Sequence, residues 1–164
     1  KAGLVTFNEY FDTFVPDSKQ VGQMQTLLEN LYQQETTFGE TDFSALCGHL
    51  GKHVNKRSFL VLYTNFSNMT SLNRQLVYLQ QLARQHRVLV VFFEDADLKE
   101  YIAGKSVTTE DYYRHVIAEK FAFEKRLIVS TLKQHGIYSL LTTPDKLSID
   151  VINKYLEMKS RQLL

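Results

Sequence analysis

Two uninterrupted apolar runs, Phe59–Tyr63 and residues 88–93, constrain the fold of this chain more than any other feature. A strand with one solvated face alternates polar and apolar residues, whereas a continuous apolar run is typical of a parallel strand covered on both faces. The segment between the two runs carries leucines at helical spacing, namely Leu72, Leu76, Leu79 and Leu82. A strand, a helix and a second strand in this order predict a parallel βαβ unit with a right-handed crossover.

The rest of the chain continues this alternation of strands and helices. Ala2–Phe7 and residues 10–15 are predicted strands, and the tight turn at Asn8 and Glu9 predicts an antiparallel hairpin. A further strand is predicted over residues 137–141, and helices over residues 19–34, 42–54, 71–85, 97–102, 109–135 and 148–161. We therefore expect one α/β domain over Lys1–Leu164, with a mostly parallel, Rossmann-like three-layer sheet flanked by helices and one antiparallel edge strand.

Two of the predicted helices have distinctive apolar patterns. The helix over residues 19–34, with Ser18 as its expected N-cap, has one stripe that predicts a buried face, formed by Val21, Met24, Leu27, Leu28 and Leu31. The helix over residues 109–135, with Gly136 as its C′ residue, has more apolar residues than one stripe needs. Either this long helix is wedged between the sheet and another helix, or part of its apolar surface is exposed for a partner.

Charge and cysteine content exclude several classes of protein. The chain has 19 basic and 18 acidic residues and a net charge of +1, so it lacks the basic excess of a general nucleic-acid binder, and no nucleic-acid partner is expected. Its one cysteine, Cys47, cannot form an internal disulfide and, with no visible signal peptide, favours a cytoplasmic location. No apolar run approaches the ~18 residues of a membrane span. The chain begins at Lys1 without an initiator Met and reads as an excised piece, so anchoring through an upstream segment stays open.

Common catalytic motifs are missing from the sequence. The absence of GxGxxG and GxxxxGK[ST] counts against nucleotide binding and against a small-ligand Rossmann-like domain, and GxSxG is absent as well. Cys47 lies on an apolar helix face and is interpreted as a buried structural thiol. His49 and His53 have the spacing of helical zinc ligands, but no Glu follows His49 as in HExxH, so both are interpreted as solvated surface residues.

Open parallel sheets bind ligands outside the carboxyl ends of their strands, which draws attention to three polar loops, two of them directly after predicted strands. These loops, over residues 39–42, 64–68 and 94–97, offer the oxygen atoms that Mg²⁺ prefers. One hypothesis is a Mg²⁺-dependent nuclease or phosphatase with carboxylate ligands, namely Asp42, Glu94, Asp95 and Asp97. The structural alternative is that Thr41 and Asp42 cap one helix. Asp95 and Asp97 would then favour the N-terminus of another.

Several segments together resemble one family. They are GLVTF at residues 3–7, GETDF at 39–43, RSFLVLYTNF at 57–66, RVLVVFFED at 87–95 and VINKYLEMK at 151–159. In this order they are similar to successive blocks of a von Willebrand factor A-like domain of the bacterial domain of unknown function fifty-eight family, which is often encoded beside MoxR-type AAA+ ATPases. The resemblance implies a protein-interaction module of the bacterial cytoplasm, an adaptor for a MoxR-type ATPase, with no catalytic activity of its own.

The resemblance also implies a degenerate metal-ion-dependent adhesion site. Thr41, beside Asp42, matches the threonine of that site, and Asn65 stands where the family type has an aspartate. A neutral amide is a poorer cation ligand, and the Asp-x-Ser-x-Ser loop is absent because the chain matches the family only from the second strand onward. We therefore expect no cofactor in this chain, and Mg²⁺ only in an intact protein that supplies the missing loop.

The absent first strand has a structural implication. In such domains it lies in the middle of the sheet, here between the strand ending at Phe7 and Phe59–Tyr63. Its absence would leave unpaired backbone groups at strand edges. The resemblance thus predicts that this chain either shifts its strands or forms a homodimer with a second copy.

Overall fold

The computed structural model describes residues 1–8, 11–35, 41–66, 68–94 and 109–164, and of Phe11 only the backbone. The chain divides into two compact units, Lys1–Asn55 and Lys56–Leu164, which are described separately below. Both combine helices with strands, so the predicted α/β class is confirmed. No helix among the described residues is long and apolar enough to cross a membrane.

The first unit is built on an antiparallel hairpin. Strand β1 (Ala2–Phe7) pairs with β2 (Phe11–Ser18), and this pair forms a two-stranded sheet of its own. The predicted antiparallel edge strand on the parallel sheet is therefore wrong for these residues, because the hairpin strands take each other as ladder partners. Strand β2 also continues past Pro16 to Ser18. The pairing register of the two strands shifts between Ala2 and Leu4, that is, at Gly3. A Cβ at Gly3 would lie 2.8 Å from the Val15 carbonyl oxygen, so glycine permits this close approach.

Helix α1 (Gln23–Tyr32) begins later than the sequence predicts. Its N-cap is Gly22, at φ 94°, and Ser18 instead accepts a hydrogen bond from the Gln20 backbone N–H. No residue of α1 is buried, so the predicted burial of its apolar stripe is wrong. Four residues of that stripe are exposed, namely Val21, Met24, Leu28 and Leu31. Gln23 of α1 donates to carbonyl oxygens of the hairpin sheet, and a two-stranded sheet offers too little apolar surface to cover the stripe.

Helix α2 (Phe43–His53) supplies the core of the first unit. Asp42 caps it, and its buried face consists of Phe43, Leu46, Cys47 and Leu50. The Phe43 ring meets the Phe7 ring edge-on, with 5.4 Å between centroids. The Asp42 backbone N–H donates to the Asn8 carbonyl at 2.8 Å, which fixes the start of α2 beside the end of β1.

The second unit contains the predicted parallel βαβ arrangement. Its elements are β3 (Phe59–Tyr63), α3 (Met69–Gln85), β4 (Arg87–Phe93), α4 (Thr109–Gln134), β5 (Tyr138–Thr142) and α5 (Leu147–Ser160). The strands form a parallel sheet in the order β3-β4-β5. Buried leucines of α3 and the inner faces of α4 and α5 cover this sheet, through Leu72, Leu79, Leu82, Ile128, Leu132 and Met158. The predicted short helix over residues 97–102 lies outside the described residues.

The two apolar runs differ in burial because of their positions in the sheet. Residues 88–92 of the central strand β4 are all buried, as a doubly covered strand should be. Strand β3 lies at an edge, where no described strand pairs with its outer side, and Tyr63 is 54% exposed. The prediction of double burial is therefore confirmed for β4 and wrong for β3.

Candidate functional site

The carboxyl ends of β3, β4 and β5 meet at one edge of the second unit. Parallel pairing places Tyr63 beside Val91 and Phe93 beside Thr142. The chain then leaves the sheet through hydrogen bonds from the Thr64 N–H to the Val91 carbonyl at 3.0 Å and from the Glu94 N–H to the Thr142 carbonyl at 2.9 Å. This edge is where open parallel sheets bind ligands, so Asn65 and Glu94, just past the ends of β3 and β4, lie at the expected place.

Lys125 of α4 reaches this edge. Its ammonium group donates hydrogen bonds to Asn65 Oδ1 and, at 2.8 Å, to the Phe66 carbonyl oxygen. The same Nζ lies 5.6 Å from the centroid of the Phe92 ring. Burial lowers the pKa of Lys125, since the apolar surroundings disfavour the charged form. The amide oxygen of Asn65, a predicted metal ligand, is thus engaged by a cationic side chain.

Sequence reasoning missed Lys125, although a weak signal was present. Lys125 lies seven residues after Ala118 and three before Ile128, both buried, so it occupies the inner stripe of α4. A lysine in such a stripe is unusual, because buried lysines require hydrogen-bond partners. Its partner Asn65 is 60 positions away, and no local pattern could have named it.

The other two predicted metal ligands lie in the first unit. Asp42 Oδ1 accepts hydrogen bonds from the backbone N–H groups of Ser44 at 2.7 Å and Ala45 at 3.1 Å. This is the N-cap role foreseen as the structural alternative, while Thr41 is half-buried directly before it. Asp95 and Asp97 lie outside the described residues. Among the residues that are described, no three His, Cys, Asp or Glu side chains are grouped to hold a metal ion.

A second polar contact closes the same edge of the sheet. Thr142, buried at the end of β5, donates from Oγ1 to Asp150 Oδ2 at 2.5 Å. Asp150 is in the first turn of α5, where a carboxylate also favours the helix dipole. This hydrogen bond attaches the start of α5 to the end of the strand before it.

The histidines and the cysteine of α2 have structural surroundings. The rings of His49 and His53 stack at 4.2 Å, and Phe14 packs against both. The prediction of solvated histidines is right for His53, which is exposed, and wrong for His49, which is half-buried. Burial lowers the pKa of His49, and the positive charges of His53 and Lys52 add to the effect. Cys47 is buried as predicted, and burial, with a smaller contribution from Asp42, raises the pKa of its thiol to about 11.

Two helices of the second unit expose apolar residues on the side opposite their buried faces. On α5, Ile149, Ile152 and Leu156 follow an i, i+3, i+7 spacing and are exposed, whereas Met158 on the other side is buried. On α4, the exposed apolar residues are Tyr112, Tyr113, Val116, Ile117, Phe121, Phe123 and Leu127, and four of them, Tyr112, Val116, Phe123 and Leu127, share one face. Of the two alternatives for this helix, the structure thus shows the one in which part of its apolar surface is exposed.

Comparisons with known proteins find no matching family model, no matching curated protein and no matching solved structure. The residues themselves therefore carry the functional argument. The resemblance to a von Willebrand A-like domain stays a prediction from the sequence.

Proposed function

We propose that this chain is a protein-interaction module without catalytic activity, and that its partner is a MoxR-type AAA+ ATPase. The partner class comes from the sequence resemblance of residues 3–7, 39–43, 57–66, 87–95 and 151–159 to von Willebrand A-like domains. The binding surface is inferred from the exposed apolar residues of α5.

The observation that carries the proposal is the exposed aliphatic stripe of α5. Ile149, Ile152 and Leu156 share one face of the helix, and Ile152 is 58% exposed. Single exposed apolar residues are ordinary, but a continuous row of them is typical of a surface that another protein covers. A helix that presents i, i+3 and i+7 anchors suits an apolar groove on a partner.

The surroundings of Asn65 favour binding over metal-dependent chemistry. A divalent cation beside Asn65 Oδ1 would meet the ammonium group of Lys125, which donates to the same oxygen. Two cations at one neutral oxygen repel each other, and no charge on the amide offsets that repulsion. The alternative of a Mg²⁺-dependent hydrolase rests on Asp95 and Asp97, which lie outside the described residues, and it stays a hypothesis.

The test is a binding titration of this chain with a purified MoxR-type ATPase by isothermal calorimetry. Ile152→Asp should weaken binding by about tenfold or more, because it places a carboxylate in an apolar contact. Val77→Asp is the matched control, since Val77 is an exposed apolar residue of α3, at 64%, outside the stripe. Equal binding by Ile152→Asp and the unchanged chain would reject the α5 surface, and absence of binding in the unchanged chain would reject the partner.

A further inference from the structure

The outward face of α4 has a second apolar stripe whose flanking charges form a pattern. Tyr112, Val116, Phe123 and Leu127 lie within one narrow sector of the helix at 3.6 residues per turn. Phe123 is 60% exposed, and the buried residues Ala118 and Leu132 lie on the other side of the helix.

Between residues 119 and 126, each flank of the stripe carries one acidic and one basic residue. Glu119 and Arg126 lie on one flank, and Lys120 and Glu124 lie on the other. Glu119, Lys120 and Arg126 are exposed, and Glu124 is half-buried. The midpoint of Glu119 and Arg126 lies between residues 122 and 123, and the midpoint of Lys120 and Glu124 is residue 122. Both midpoints are thus beside Phe123, in the middle of the stripe.

We propose that this face of α4 binds a second copy of the chain, with the two α4 helices antiparallel and Phe123 beside the two-fold axis. In an antiparallel two-fold pair, a flank of one helix faces the same flank of its mate, and positions equally distant from the axis meet. Glu119 then faces Arg126 of the other copy, and Lys120 faces Glu124 of the other copy. The symmetry produces each contact twice, so four opposite-charge pairs surround an apolar contact.

The shared midpoint of the two charge pairs favours a second copy of the chain over other binding partners at this face of α4. A lipid surface would favour basic residues on both flanks, and these flanks carry both signs. An unrelated protein would place no constraint on where the midpoints fall. Self-association requires both flanks to be complementary about a single axis, and that condition is met at Phe123. This inference is independent of the proposed ATPase partner, which is assigned to α5.

Sedimentation equilibrium of the whole chain over a range of concentrations tests the proposal. The unchanged chain should form dimers that weaken as salt increases. Glu119→Arg alone, or Arg126→Glu alone, should raise the dimer Kd by about tenfold, because each places like charges opposite each other twice. The double variant Glu119→Arg with Arg126→Glu should return the Kd to within about threefold of the original.

The controls separate this contact from other modes of association. Lys159→Glu makes the same kind of charge change on an exposed residue of α5 and should leave the Kd unchanged. Phe123→Asp should abolish the dimer, whereas Val77→Asp, also at an exposed apolar residue, should not. A chain that stays monomeric at every concentration overturns the proposal. So does a dimer that Phe123→Asp leaves intact or that the double charge exchange fails to restore, since pairing through the edge of β3 would give those results.

Discussion

Lys125 donates a hydrogen bond to Asn65 Oδ1 across 60 positions of sequence and thereby attaches the middle of α4 to the loop after β3. The same ammonium group satisfies the Phe66 carbonyl oxygen and lies over the Phe92 ring. The contact stabilises the edge of the sheet where a ligand would bind, even though burial lowers the pKa of the lysine and so opposes its charge.

Replacing Lys125 should therefore reduce stability. Lys125→Met keeps the length of the side chain but leaves two oxygen acceptors without their donor, so we expect the free energy of unfolding to fall by about 1 kcal/mol. The measurement is urea denaturation followed by circular dichroism. Lys133→Met, at an exposed lysine of the same helix, should change stability by less than about 0.5 kcal/mol. Asn65→Ala should cost less in the Lys125→Met background than in the unchanged chain, and simple additivity of the two changes would show that they do not interact.

The cap of α2 offers a test of the role of Asp42. Asp42→Ala removes the acceptor of two backbone hydrogen bonds, and we expect a loss of about 1 kcal/mol in the free energy of unfolding. Asp42→Asn keeps an acceptor oxygen and should cost only a few tenths of that amount. The loss should be the same with and without Mg²⁺. A loss that grows when Mg²⁺ is present would instead identify Asp42 as a metal ligand.

Thermal unfolding with and without excess Mg²⁺ or Mn²⁺ tests the degenerate adhesion site. We expect no change in Tm, because the Asn65 oxygen is engaged by Lys125 and Asp42 caps a helix. A bound cation in large excess over its Kd would stabilise the fold by a few kcal/mol. Thr41→Ala should behave like the unchanged chain. A clear rise in Tm that Asp95→Asn abolishes would favour the hydrolase hypothesis.

His86 should make the stability of the chain depend on pH. It is buried, its Nδ1 accepts a hydrogen bond from the Ser58 N–H at 3.3 Å, and burial lowers its pKa below the ordinary 6.5. The unfolded chain therefore binds the proton more readily, so the stability that neutral His86 contributes is complete above pH 6.5 and is lost as the pH falls below it.

The corresponding measurement is the free energy of unfolding in urea between about pH 5 and pH 8. His86→Gln should flatten the curve at its acidic end, because it removes the buried imidazole. If His86→Gln keeps the full acidic decline, other groups are responsible for it.

Local sequence patterns predicted the helices and strands well, but they did not predict which strands lie at the edge of the sheet. The continuous apolar run of β4, the helical spacing of the leucines in α3 and the left-handed Gly136 at φ 71° after α4 are local signals, and all three are confirmed. The run in β3 looks the same as that in β4, yet β3 is an edge strand, because strand order depends on pairing that no run of residues encodes.

The candidate site was predictable only in its location. Loops after parallel strands indicated the edge of the sheet, whereas Asp42 was predicted as a metal ligand and its role as a helix cap was only the structural alternative. The hydrogen-bond partner of Asn65 was not predicted, because a lysine on the inner stripe of a long helix can reach any of several loops.

Ser18 failed as the predicted helix cap for a similar reason. The backbone turns at Gly22 before α1 begins, and a serine pattern alone does not reveal that turn.

The exposure of α1 determines where local unfolding of the chain should begin. None of its side chains is buried, and it is held beside the hairpin by contacts such as those from Gln23 to the Ala2 and Pro16 carbonyl oxygens. A helix of 10 residues has little stability by itself in water. Its amide hydrogens should therefore exchange with solvent long before those of β4, and a protease should cut there while the parallel sheet stays intact. Helix α1 of the first unit should thus be the least protected helix from hydrogen exchange, and strand β4 of the second unit the most protected strand.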